Sequence, residues 1–177
     1  HIPNAPEAVE ILGPWNISFP PGWGAPAQVR WKRLIPWNTS QDEGIKYFSG
    51  TATYTIRMPI EIFGDSGVYL DLGKVQKIAH VWINDTDMGI LWKEPFRVEI
   101  TDAVKPGINT LKIQVTNTWA NRVIGDSRLP EAERFTETNV LHLGFNMRLG
   151  PDTKLLESGL LGPVRIIPIH RTDVKLD

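Results

Sequence analysis

Residues 109–117 read NTLKIQVTN, with Leu111, Ile113 and Val115 on every second position. Successive side chains of an extended chain point to opposite faces. A period of two therefore marks a strand with one buried and one solvated face. The pattern recurs. Residues 51–58 (TATYTIRM) are rich in β-branched and aromatic side chains and are followed by Pro59, which is expected to end the strand. Residues 68–72 alternate and are closed by Gly73. Residues 78–83 and 88–92 flank Asn84-Asp85, a turn pair, and so predict a hairpin. Residues 96–100, 15–19 and 164–168 complete the set, and Pro106-Gly107 supplies another turn.

Short strands with regular turn punctuation predict an all-β sandwich or barrel. The 15 Gly and 14 Pro residues fit that punctuation. No stretch of ten or more residues keeps a helical period. The best helical candidate is the short segment 130–134, where Pro130 would be tolerated in a first turn. Residues 20–38 and 120–161 lack strand periodicity and are expected to be long loops, which in compact domains are functional or covering elements.

The chain has 177 residues, enough for one domain with a substantial core. Its formal net charge of -1 provides no field favouring nucleic acid or an acidic membrane surface. No apolar run is long enough to span a bilayer. With no cysteine, disulfides and Cys-ligated zinc are excluded. The start, His1-Ile2-Pro3-Asn4, is not a signal peptide and reads as a cut within a longer chain.

The order of motifs resembles the sugar-binding jelly-roll domain of glycoside hydrolase family 2. The carriers are residues 48–54 (FSGTATY), Val81-Trp82-Ile83-Asn84 with Gly89, residues 95–101 (PFRVEIT) and residues 106–111 (PGINTL). Residues 117–122 (NTWANR) with Gly125-Asp126, and residues 158–164 (SGLLGPV), are similar to the C-terminal β-sandwich region of family 106, the α-L-rhamnosidases. The long segment between Asn121 and Ser158 departs from family 2. The resemblance implies one galactose-binding-domain-like, all-β jelly-roll β-sandwich over residues 1–177, excised from a larger multidomain enzyme. It implies catalytic residues on another domain of a secreted, periplasmic or cell-surface bacterial protein. Plant cell-wall polysaccharide and the parent catalytic domain are the expected partners. It also allows one structural calcium ion, with no ligands assigned.

Tryptophan, present seven times, serves either as core or as a flat platform for a pyranose ring. Trp15, Trp31 and Trp82 lie in apolar strand contexts and are expected in the core. Trp23, Trp37, Trp92 and Trp119 lie in or beside turns and are candidates to face a ligand. Asn117, Trp119, Asn121, Arg122 and Asp126, with Trp92, form the candidate carbohydrate site. Amides both donate and accept, a guanidinium donates in a fork and a carboxylate accepts. The same Arg122 and Asp126 can instead pair to pin a loop.

Hydrolysis of a glycoside usually takes two carboxylates, about 5 Å apart for retention or about 6.5–9.5 Å for inversion. Asp42, Glu43, Asp126, Glu131, Glu133 and Glu157 are the loop candidates. No G-x-S-x-G elbow, P-loop, G-x-G-x-x-G or H-E-x-x-H is present. The expected role is therefore a carbohydrate-binding or ancillary module. A purely structural interdomain module is the alternative, and a free-standing hydrolase the third reading. Sequons for N-glycosylation occur at Asn16, Asn38 and Asn84.

Overall fold

The computed structural model describes residues 7–60, 67–138, 142–143 and 147–169. The terminal residues His1 and His170 lie outside these. In chain order the strands are β1 (Val9–Glu10), β2 (Trp15–Ser18), β3 (Gln28–Trp31), β4 (Thr51–Ile60), β5 (Gly67–Asp71), β6 (Lys74–Gln76), β7 (Ile78–Ile83), β8 (Thr86–Leu91), β9 (Arg97–Glu99), β10 (Gly107–Thr116), β11 (His142–Leu143), β12 (Met147–Arg148), β13 (Gly159–Gly162) and β14 (Arg165–Ile169). Two short helices join them, α1 (Glu43–Lys46) and α2 (Ala120–Asp126).

Two antiparallel sheets form the expected jelly-roll sandwich. One has the order β3-β2-β4-β10-β7-β8 and the other β1-β14-β5-β9. The alternation read from sequence sets which face each strand buries. Ala52, Tyr54, Ile56 and Met58 of β4, Leu111, Ile113 and Val115 of β10, and Ala79, Val81 and Ile83 of β7 point inward. They meet Val68 and Leu70 of β5 and Ile166 of β14 in one core. Fully burying each such aliphatic side chain is worth about 1.5–3 kcal/mol.

The Asn84-Asp85 hairpin forms as predicted, with both residues at positive φ (48° and 68°). Asn84 also has a tertiary role. Its amide donates to the Ala103 carbonyl (3.0 Å) and to Asn109 Oδ1 (2.7 Å) and accepts from the Thr110 N–H (3.0 Å).

Several expectations need correction. Strand β4 runs through Pro59 to Ile60, because β2 pairs with it only over Thr53–Thr55. One side of its far end is thus an open edge, where proline is tolerated. The segments expected to be loops contain β3, β13 and α2. Every residue of α2 is buried, so no amphipathic stripe was present to betray it. The 130–134 candidate is a single 3-10 turn, Glu131–Glu133.

Three tryptophans also differ. Trp37 is fully buried, its indole N–H donating to the Tyr54 hydroxyl at 2.6 Å. A polar partner inside the core explains why its turn-like sequence context misled. Trp82 lies on the outer face of β7, stacked on His80 at 3.7 Å with Lys112 Nζ 4.3 Å from its ring centre. It alternates with the inward Val81 and Ile83 and so must point outward. Trp31 is half-buried and packs against the core margin.

Candidate functional site

Helix α2 follows directly from β10, and the candidate residues gather around it. Asn117 sits at the end of β10, where its side chain ties two strands' ends together. Its Oδ1 accepts from the Gly50 N–H (2.8 Å) and its amide donates to the Phe48 carbonyl (2.9 Å). Asn121, 1% exposed, accepts from the Leu156 N–H and donates to the Leu156 carbonyl, both at 2.8 Å. It thereby imitates a strand partner for the segment leading into β13.

Arg122 and Asp126 stand one helical turn apart. Arg122 Nε lies 3.2 Å from Asp126 Oδ1 in a pair that is almost wholly buried, although the angle between them does not make a hydrogen bond. Asp126 Oδ2 accepts from the N–H (2.8 Å) and the hydroxyl (2.7 Å) of Thr136. Arg122 Nη1 donates to the Trp23 carbonyl (3.4 Å), and its guanidinium lies 4.4 Å from the Phe135 ring centre and 5.9 Å from that of Tyr47. Burial pulls the Arg122 guanidinium below its ordinary value, and the charges of Asp126 and Tyr47 oppose this. The pair thus pins two loops to α2, the one carrying Trp23 and the one carrying Phe135.

A cleft of about 420 Å³ opens beside it, lined by Tyr47, Arg122, Arg128, Phe135, Glu43 and neighbouring glycines. Gly44 is required there by close approach. A Cβ on it would stand 2.0 Å from the Gly24 carbonyl oxygen.

The indoles divide sharply. Trp92 is 67% exposed and Trp119 43% exposed, and both are free to meet a ligand face. Trp92 carries Lys93 Nζ 5.3 Å from its ring centre. Structure thus keeps Trp119, Asn121, Arg122 and Asp126 on one short helix and its first flanking residue, with Asn117 at its approach. Trp92, after β8, belongs to the far edge of the large sheet.

The loop carboxylates have varied surroundings. Asp42 caps α1 by accepting from the Ile45 N–H (3.1 Å), and Glu157 pairs with Lys74. Glu43 lines the cleft, while Glu131 and Glu133 are exposed on the 3-10 turn. Among the described residues, no three His, Asp or Glu side chains converge to hold a metal ion. The calcium allowed by the resemblance therefore finds no such cluster among them. Also among the described residues, no helix is long and apolar enough to cross a membrane.

Sequence reasoning placed Trp37 among the ligand-facing candidates and missed the role that it, Tyr54 and Ser158 share in holding this region together. Trp37 N–H donates to the Ser158 carbonyl (2.9 Å), and Tyr54 Oη accepts from the Leu160 N–H (3.2 Å). Local pattern holds no signal for partners more than 100 residues apart.

The chain is 39% identical to part of a rhamnosidase from Novosphingobium sp. PP1Y, with a TM-score of 0.79 over 93% of this chain and 15% of that one. It matches one segment of a larger glycoside hydrolase. A protein of Formosa agariphila, provisionally named a β-glucuronidase, is 37% identical over 185 aligned positions, covering 93% of this chain and 16% of that protein. A β-D-glucuronidase of Dictyoglomus thermophilum shares the fold, with a TM-score of 0.63 at 18% identity, over 94% of this chain and 28% of that one. The chain thus spans about one-sixth of the length of the first two. No protein-family model matches it.

Proposed function

We propose that this chain is an ancillary, non-catalytic β-sandwich module of a larger secreted glycoside hydrolase, and that it holds glycan near the parent enzyme's catalytic domain. The observation that carries the reading is the match to the rhamnosidase, which covers nearly all of this chain but only 15% of that enzyme. A segment of that share leaves ample chain elsewhere for a catalytic domain. The resemblance to family 106 in residues 117–126 and 158–164 supports the same parentage.

Within this reading the exposed indoles of Trp119 and Trp92 are the surfaces that meet sugar. An indole face stacks on the C–H face of a pyranose and brings a polar N–H beside it. Asn117, Asn121, Arg122 and Asp126 act as positioning residues, because their polar groups hold the segments around α2. Isothermal titration of the chain against plant polysaccharides rich in rhamnose, galactose, arabinose and galacturonic acid tests the proposal. Saturable heat, even at millimolar strength (about -4 kcal/mol), supports it. No heat across the panel from a folded sample overturns glycan binding.

A second reading has its own observation. Ile78, Ile90 and Trp92 are exposed together along the β7–β8 edge. Such an apolar margin suits packing against another domain of the parent chain. Silent titrations would leave this role in place.

A further inference from the structure

Three side chains on the outer face of the large sheet fall in one row across neighbouring strands. The register sets Ser18 of β2 opposite Thr53 of β4, and Thr53 opposite Gln114 of β10. Their neighbours Ile17, Tyr54 and Ile113 are buried, so alternation turns this row to solvent. Adjacent strands lie about 4.8 Å apart. The row therefore repeats polar groups at a spacing close to the length of a sugar ring.

A groove of about 520 Å³ lies over the row. Ser18, Thr53, Gln114, Thr51, Pro20 and Trp23 are among its walls, and no lining residue is charged. Among the described residues, the side chains of Ser18, Thr53 and Gln114 have no hydrogen-bond partner. Thr51 differs, since its hydroxyl is bonded to that of Thr116 at 2.7 Å. The row is bounded on the next strand by His80, which faces Gln114 but is held by Asp87 at 2.8 Å.

Trp23 forms the wall at the other end and is 39% exposed. Its loop is closed by the Phe19 N–H donating to the Ala27 carbonyl (3.1 Å) and is held from beneath by Arg122. The buried Arg122–Asp126 pair therefore anchors the loop that carries this indole.

We propose that this groove binds an uncharged glycan segment laid across the strands, with Trp23 stacking on one ring and Ser18, Thr53 and Gln114 bonding hydroxyls. This rests on the glycan-binding reading above and adds a second site and a ligand class to it. Hydroxyl and amide side chains both donate and accept, as a sugar hydroxyl requires. With no cation in the lining, nothing offsets the desolvation of a carboxylate, so an acidic glycan is disfavoured. A peptide adding as a strand needs a free sheet edge, whereas at this row Thr53 and Gln114 are paired with a strand on both sides.

The test is a titration of the isotope-labelled 177-residue chain with xylo-, manno- and galacto-oligosaccharides and, separately, with oligogalacturonate. Resonances of the Trp23 indole N–H and the Gln114 amide are followed, and calorimetry is run on Trp23→Ala, Gln114→Ala and Trp119→Ala. Thermal midpoints near that of the parent chain verify that the variants fold. The expected result is a shift of both resonances with a neutral oligosaccharide, and at least about tenfold weaker binding by Trp23→Ala and by Gln114→Ala. Binding lost in Trp119→Ala but kept in the two groove variants overturns the groove and leaves the glycan-binding reading standing. Oligogalacturonate binding the groove more tightly than neutral sugars overturns the ligand class. No binding of any glycan by the folded chain overturns both proposals.

Discussion

Arg122 and Asp126 face each other across one turn of α2, with Nε and Oδ1 3.2 Å apart and both side chains 4% exposed. Removing one partner of such a pair leaves the other buried and uncompensated. Asp126→Ala is expected to destabilise the chain by about 3–5 kcal/mol. The double variant Arg122→Met with Asp126→Leu should recover much of that loss, since it removes both charges together. Urea denaturation of the single and double variants checks this, and a double-variant loss equal to the sum of the two single losses would show that the pair does not act as a unit.

The Tyr54 hydroxyl accepts from two buried donors, the Trp37 indole (2.6 Å) and the Leu160 N–H (3.2 Å). Tyr54→Phe keeps the ring but orphans both. Each orphaned donor costs about 1–3 kcal/mol, so a loss of roughly 2–6 kcal/mol is expected in chemical denaturation.

Burial also pushes the Tyr54 phenol well above its ordinary value of 10.0, against the opposing hydrogen bonds from Leu160 and Trp37. With the folded value raised, the unfolded chain releases this proton first. Stability is then complete below about pH 10 and falls as pH rises beyond it. A spectrophotometric titration should show Tyr54 ionising only with unfolding, and Tyr54→Phe should remove that step.

For Asp71, burial pushes the carboxyl up. The hydrogen bond from Arg97 (2.6 Å), the Gly73 N–H and the charges of Arg97 and Arg165 outweigh this and hold it below its ordinary 3.8. A depressed value in the folded state gives stability that is present above about pH 4 and lost as pH falls through the folded value. Asp71→Asn should flatten the acid limb of the stability profile, measured by urea denaturation between neutral and acid pH. An unchanged limb would remove Asp71 from the explanation.

Trp92 and Trp119 are exposed, and surface substitutions away from special features usually change stability by no more than about 0.5 kcal/mol. Trp92→Ala and Trp119→Ala are expected to melt close to the parent chain. A fall in glycan affinity in either variant can then be assigned to a lost contact. A large drop in melting temperature would instead place that indole in the structure.

The sequence by itself determined the long alternating strands and their buried faces, while β3 and β13 escaped it. Leu111, Ile113 and Val115 lie on one side of β10 because alternation of side chains is a property of the extended backbone alone. The hairpin at Asn84-Asp85 was equally legible, since positive φ favours a short list of residues. It also placed Asn117, Trp119, Asn121, Arg122 and Asp126 close together, because they are close in the chain. Only the tertiary structure decided what they do. Asn121 faces Leu156, Asn117 faces Gly50, and Arg122 reaches Trp23, partners that no local spacing can bring together. It likewise decided that Trp37 is core, and that Ser18, Thr53 and Gln114 form one row. Register between distant strands is set by the packing of the whole core, and that information is spread over every inward-facing residue at once.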